Sequence, residues 1–191
     1  MMKHWTINDL KLQALNDNIP IILDDALKFI QDYIKTHNIK SVLEIGTAYG
    51  YSAVSLSSDT THVDTLERDV KRIDEASRWI KLLNANVTLY PVDALAFNDL
   101  EKGYDLIFID AAKSQYENLF NKYTPLLNSG GTVICDNINF HDLTVDTTPN
   151  RRTKSLIKKL EKFKQFLNNH EQFETTFLDI GDGLSVSKKI K

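Results

Sequence analysis

The chain has 191 residues, 42% of them hydrophobic and 26% charged, with a formal net charge of −3. That length suits a single domain with one well-buried core, and the composition excludes a disordered, collagenous or disulfide-stapled protein. One cysteine, Cys135, rules out an internal disulfide and, with no apolar run near the roughly 18–20 residues that span a bilayer, points to a reducing, cytoplasmic setting without a membrane partner.

The charge is uneven. Residues 151–164 carry seven lysines and arginines against Glu161, a local +6, so the remainder carries −9. An acidic body with one basic helix fits an anionic partner. The N-terminal Met1-Met-Lys-His-Trp-Thr6 lacks the apolar segment of a signal peptide.

In chain order, two helices are predicted at Ile7–Asn16 and Leu23–His37, separated by Pro20. In the second, Ala26, Leu27, Ile30, Tyr33 and Ile34 recur at helical spacing. Strands and helices then alternate: Val42–Ile45, helix Tyr51–Ser57, Val63–Leu66, helix Val70–Leu83, Val87–Tyr90, and a helical turn near Asn98–Glu101. The fourth strand, Leu106–Ile109, is continuously apolar, as when helices cover both faces. A helix over Tyr116–Leu127 precedes Gly130-Gly131, with strand five at Thr132–Cys135. A loop over Asp136–Asn150 leads to a helix at Arg151–Asn168. Phe173–Asp179 and Leu184–Lys188 flank Gly181-Asp-Gly183 like a hairpin. The expected fold is a doubly wound, Rossmann-like α/β sheet, mostly parallel, closed by a C-terminal antiparallel strand pair.

Ligands of such sheets bind beyond the carboxyl ends of the strands. Ser41-Val-Leu-Glu-Ile-Gly-Thr-Ala-Tyr-Gly-Tyr-Ser52 reads as a buried strand, a glycine turn and a helix start, which lets backbone N–H groups approach a polar ligand. Acidic or amide groups follow five successive strands: Glu44, Glu67, Asp93, Asp110 and Asp136-Asn137. Glu67, 23 residues after Glu44, is placed to hold ribose hydroxyls. Asp93 is equally well read as a helix N-cap or an adenine contact. A nicotinamide fingerprint starting at Gly46 would put Ala48 and Tyr51 where glycines are needed, so S-adenosyl-L-methionine fits better.

Asp110, Asp136 and Asn137 offer oxygen donors only, suited to Mg²⁺, Mn²⁺ or Ca²⁺ rather than zinc. Lys113 is either a surface lysine or a general base beside such a site. On the last long helix, Leu156, Leu160, Phe163 and Leu167 form an apolar stripe, so its lysines are either the solvated outer face or a track for phosphates.

These motifs resemble the metal-dependent catechol and caffeoyl-CoA type O-methyltransferases of the class I S-adenosylmethionine-dependent fold. The resemblance runs from Ile19 to the C-terminus and rests on Leu43–Ser52, Phe108-Ile-Asp-Ala-Ala-Lys113, Cys135-Asp-Asn137 and Ile180-Gly-Asp-Gly-Leu184. Asn150-Arg-Arg-Thr153 and Thr175-Thr-Phe-Leu178 are most similar to the bacterial tRNA 5-hydroxyuridine methyltransferase group. The resemblance implies a cofactor site of Glu44, Gly46, Thr47, Tyr51, Ser52, Glu67, Asp93, Ala94 and Asp110. It implies metal ligands Asp110, Asp136 and Asn137, catalytic roles for Lys113 and Asp110, and substrate phosphate at Arg151 and Arg152.

The activity so implied is O-methylation of 5-hydroxyuridine at the wobble position of a tRNA anticodon. The alternatives are a small catechol-like acceptor or, in a different class, a cofactor-binding protein without turnover. A single domain, 1–191, is expected, with the helices of residues 1–38 covering the site or forming a homodimer interface. Two departures stand out: the N-terminal segment is shorter than in many relatives, and Tyr49 and Tyr51 make the cofactor turn bulky.

Overall fold

The structure is a computed structural model in which residues 4–101, 103–139 and 150–191 are described. They group into two compact units, Met1–Leu100 and Glu101–Lys191.

The first unit holds α1 (Ile7–Asn16), α2 (Asp24–Thr36), β1 (Ser41–Ile45), α3 (Tyr51–Leu56), β2 (His62–Glu67), α4 (Val70–Leu82) and β3 (Val87–Pro91). A capping box starts α1: the Thr6 side chain accepts from the Asp9 N–H, and the Asp9 carboxylate accepts the Thr6 N–H at 2.9 Å. Asp69 caps α4 by a single bond, accepting the Arg72 N–H at 3.1 Å. The strands lie in the order β3-β2-β1 and pair in parallel, with Glu44 opposite Thr65 and Ile45 opposite Leu66. Val42, Leu43, Ala53 and Val63 are wholly buried.

Two expectations change here. The helical turn near Asn98–Glu101 does not form; the turn lies at residues 94–96, where the backbone carbonyl of Asp93 accepts from Ala96 and Phe97. The buried face of α4 is carried by Ala76 and Trp79, with Ile73 and Ile80 only half-buried. The edge of Trp79 meets Trp5 at 5.5 Å, an aromatic contact that an aliphatic periodicity does not register.

The second unit holds β4 (Tyr104–Ile109), α5 (Tyr116–Tyr123), β5 (Leu127–Cys135), α6 (Arg151–Asn168), β6 (Phe173–Leu178) and β7 (Leu184–Lys189). Its strands run β4-β5-β7-β6, with β4 and β5 parallel and β7 antiparallel to both neighbours. The helix predicted to reach Leu127 stops at Tyr123. Pro125 belongs to a separate 3-10 turn over Thr124–Leu126, and β5 starts at Leu127, running through the two glycines. The buried stripe of α6 is Ile157, Leu160, Phe163 and Leu167, so Ile157 replaces Leu156. Phe163 and Phe173 stand edge-on to Phe120 and close the core of this unit. Each such fully buried side chain contributes about 1.5–3 kcal/mol.

The architecture is a Rossmann-like, mostly parallel α/β sheet with a C-terminal antiparallel pair. Of the loop expected over 136–150, residues 140–149 lie outside the described residues. Among the described residues no helix is long and apolar enough to cross a membrane.

Candidate functional site

In the first unit the turn after β1 visits the left-handed region three times in five residues, at Gly46 (φ 110°), Ala48 (φ 47°) and Gly50 (φ 86°). Gly50 is the N-cap of α3, and a Cβ there would meet only ordinary contacts, the nearest at 3.7 Å to Ala76. Its backbone angle, not crowding, is what calls for glycine. Thr47, Tyr51 and Ser52 are buried along this turn.

Glu67 organises the turn. One carboxylate oxygen accepts the Ala48 N–H at 2.9 Å; the other accepts the N–H groups of Arg68 and Asp69 at 2.9 and 3.0 Å. Glu44 is wholly enclosed and accepts from the Thr65 hydroxyl. Because that hydroxyl spends its proton on Glu44, the 2.6 Å contact between Thr47 and Thr65 has Thr47 as donor. A Thr47–Thr65–Glu44 chain thus ties the start of the turn to the end of β1.

Asp93 does what an N-cap does. Its carboxylate accepts the Leu95 N–H at 2.8 Å and the Arg68 guanidinium at 3.0 Å. Those two bonds, the backbone one first, hold its pKa below the usual carboxylate value. Ala94 begins the turn that it caps.

In the second unit Asp110 follows β4 and Asp136 follows β5, with the Asp136 N–H bonded to the Ile109 carbonyl at 3.1 Å. Asn137 takes a left-handed φ of 57°. Its backbone N–H donates to the Asp136 carboxylate at 2.7 Å, and its side-chain amide donates to Asp110 at 3.4 Å. Burial, opposed by the charge of Lys113, raises Asp110 to about 6. Burial and then the charge of Asp110 raise Asp136 to about 7. Two carboxylates that each resist ionisation are the electrostatic situation a bound cation relieves.

The donor chemistry fits a hard divalent ion. Asp110 and Asp136 supply carboxylate oxygens, and half a turn of the Asn137 amide brings its oxygen where its nitrogen now stands. Among the described residues no group of three or more His, Cys, Asp and Glu side chains is arranged to hold a metal. The expected set has two carboxylates and an amide.

Lys113 lies in a 3-10 turn, Lys113–Gln115, rather than in the helix that follows. It lines a cavity of about 880 Å³ together with Ser114, Arg151, Arg152, Ser155 and Lys159. Among the described residues, four cations and no carboxylate line that space. Asn150 caps α6 by accepting the Arg152 N–H at 2.8 Å, which places both arginines in the exposed first turn.

Several supporting residues escaped the sequence reading. Thr65 is visible only once the β1–β2 register sets it opposite Glu44. Tyr116 reads as a core aromatic, yet its hydroxyl bonds the Asp136 carbonyl at 2.7 Å. Lys164 reads as one more surface lysine, yet it reaches Asn139 at 2.6 Å.

A glycine turn after the first strand, an acid at the end of the second and carboxylates after the fourth and fifth define a class I S-adenosylmethionine-dependent methyltransferase. The O-methyltransferase family model matches residues 4–190, and the chain belongs to that family. It is 35% identical to a putative caffeoyl-CoA O-methyltransferase from Staphylococcus aureus, covering 97% of this chain and 92% of that one with a TM-score of 0.91. Caffeoyl-CoA O-methyltransferase 1 of Arabidopsis thaliana is 26% identical over 189 residues, 91% of this chain and 73% of that protein. An O-methyltransferase from Bacillus cereus, solved in complex with SAH, shares the fold with a TM-score of 0.79 at 24% identity, covering 96% of this chain and 90% of that one.

Proposed function

We propose that the chain O-methylates a small acceptor bearing two adjacent oxygens, a catechol-like group carried on an anionic molecule. Asp110, Asp136 and Asn137 hold a divalent cation, Mg²⁺ or its like. The observation that carries this reading is the pair of carboxylates with raised pKa values, Asp136 buried and Asp110 half-buried, set in the unit whose cavity is rimmed by Lys113, Arg151, Arg152 and Lys159. The relatives named as caffeoyl-CoA O-methyltransferases support an acceptor of that kind.

When bound, the cation lowers the pKa of a chelated hydroxyl and S-adenosylmethionine supplies the methyl group. Lys113, whose side chain acts on both carboxylates, would receive the hydroxyl proton at Nζ as the neutral amine. Glu67 holds the ribose, the turn from Gly46 to Ser52 the methionine part, and Asp93 with Ala94 borders the adenine. The remaining contribution is alignment of acceptor oxygen and methyl carbon. Arg151 and Arg152 take the acceptor's phosphates. The chain acts as a homodimer in the cytoplasm; Leu12, Leu15 and Leu23, large apolar side chains left exposed around the first helices, support the dimer.

A second reading keeps the chemistry and changes the acceptor to 5-hydroxyuridine in a tRNA anticodon. Its 5-hydroxyl and 4-carbonyl form a similar chelating pair, and the exposed cations of α6 favour it. Transfer from labelled S-adenosylmethionine, with Mg²⁺ or with chelator, to a catecholic CoA thioester, a free catechol and tRNA carrying 5-hydroxyuridine separates them. Metal-dependent label in the thioester is the expected result. Label in tRNA alone would transfer the assignment to the second reading, and metal-independent transfer would sink the ligand assignment.

A further inference from the structure

α6 carries seven lysines and arginines, and Lys164 differs from the other six. It stands one residue after Phe163 and four after Leu160, both buried, at the margin of the packed face. Partial burial lowers its pKa, and its ammonium lies 6.0 Å from the centre of the Phe177 ring. There it donates a 2.6 Å hydrogen bond to the side-chain oxygen of Asn139. A charge-assisted bond of that length, shielded from bulk water on one side, is stronger than the exposed contacts typical of lysine.

Asn139 is fixed from other directions as well. Its N–H donates to the Asp182 carbonyl at 2.9 Å, and the neighbouring Ile138 N–H donates to the Gly183 carbonyl at 3.1 Å. Ile138 is 1% exposed. The Asn139 side chain lies directly over Gly183: a Cβ there would fall 2.5 Å from Asn139 Cγ. Gly183 also has a φ of 86°, so both its angle and the space above it require glycine. The segment carrying Asp136 and Asn137 is therefore clamped to the Gly181–Gly183 turn immediately after its two ligating side chains.

We propose that Lys164 is a positioning residue: through Asn139 it holds the 136–139 segment on the Gly183 turn, so that Asp136 and Asn137 keep the geometry in which they bind a divalent cation. This rests on the ligand assignment proposed above. Outer-shell partners of this sort typically change metal affinity by about 10–100-fold when removed. A lysine that merely braced α6 would change stability and leave cation binding alone.

The test titrates Mn²⁺ into the full chain and follows free Mn²⁺ by electron paramagnetic resonance. The S-adenosylmethionine dissociation constant and melting temperature are measured on the same preparations. Lys164→Met and Asn139→Ala are each expected to weaken Mn²⁺ binding by about tenfold or more. The double variant should be no weaker than either single, because both remove one link. Lys164→Arg should recover most of the loss, and cofactor affinity should stay within about twofold throughout. Wild-type Mn²⁺ affinity in Lys164→Met, whatever its melting temperature, would overturn the proposal; if that variant does not fold, Asn139→Ala decides by the same comparison. A wild-type protein that takes up no Mn²⁺ would remove the ligand assignment itself and this proposal with it. Loss confined to the variants cannot be confused with that result.

Discussion

The phenol of Tyr116 donates a 2.7 Å hydrogen bond to the backbone carbonyl of Asp136, and both residues are buried. Tyr116 opens α5 and packs edge-on against Phe163, so its hydroxyl is aimed by the core. Tyr116→Phe keeps the packing and leaves that carbonyl without its donor. Urea unfolding should show a loss of about 1–3 kcal/mol, the range for an orphaned buried acceptor. An unchanged midpoint would mean that the carbonyl finds another donor.

Asp110 and Asp136 bind protons more tightly in the folded chain than in the unfolded one, with folded values of about 6 and about 7. Between the unfolded carboxylate value and those values the native state carries the extra protons. Stability of the metal-free protein must therefore fall as pH rises through that window. Their contribution is complete below the unfolded pKa and is lost by about pH 8. Urea midpoints taken in chelator from pH 5 to pH 8 should decline, and Asp136→Asn should flatten the decline. A midpoint that climbs over this range in the wild type would show that other groups dominate.

Mg²⁺ should act in the opposite sense at the high end of that window. A cation that binds only the native state raises stability by the logarithm of its saturation, about 2.7 kcal/mol at a hundredfold excess over its dissociation constant. The gain should be larger at pH 8 than at pH 5.5, where protons compete for the same carboxylates. Melting curves with and without Mg²⁺ at the two pH values measure it. Equal shifts at both would point to a cation bound elsewhere.

The strand ends were legible because buried parallel strands have a strong apolar signal and the polar residue that stops each one stands out, as at Glu67, Asp110 and Asp136. Helix limits followed from caps and breakers, and α1 and α6 match their predicted spans. What failed was local competition. Asp93 could nucleate a turn directly or leave one to form downstream, and its own carboxylate, bonded to the Leu95 N–H, decides for the nearer one. Gly130 and Gly131 looked like a boundary, yet β5 extends back to Leu127, where pairing with Tyr104 outweighs glycine's poor strand propensity. The second layer of the candidate site was invisible for another reason: Tyr116, Asn139 and Lys164 act through contacts between residues more than fifteen positions apart.

Glu67 is expected to matter more for the cofactor than for the fold. Its two oxygens accept three backbone N–H groups, from Ala48, Arg68 and Asp69. Glu67→Gln retains one acceptor oxygen and replaces the other with a donor facing N–H groups. The turn should loosen by about 1–3 kcal/mol. S-adenosylmethionine affinity, measured by calorimetry, should drop by about tenfold or more, because the proposed ribose contact also loses its bidentate acceptor. Full retention of affinity would remove Glu67 from the cofactor site.

Cys135 gives a probe of the whole second unit. It is wholly buried at the end of β5, and burial pushes its thiol up to about 12. At pH 8 only about one thiol in ten thousand would be ionised even if a reagent could reach it, and the thiolate is the reacting form. Native protein should therefore resist iodoacetamide, while protein in strong denaturant should react stoichiometrically. In intermediate denaturant the labelling rate should follow the open population, so Tyr116→Phe should label faster than wild type by the factor its stability loss dictates. Rapid labelling of the native wild type would show that the end of β5 opens without unfolding, and would undercut the rigid strand end on which the placement of Asp136 depends.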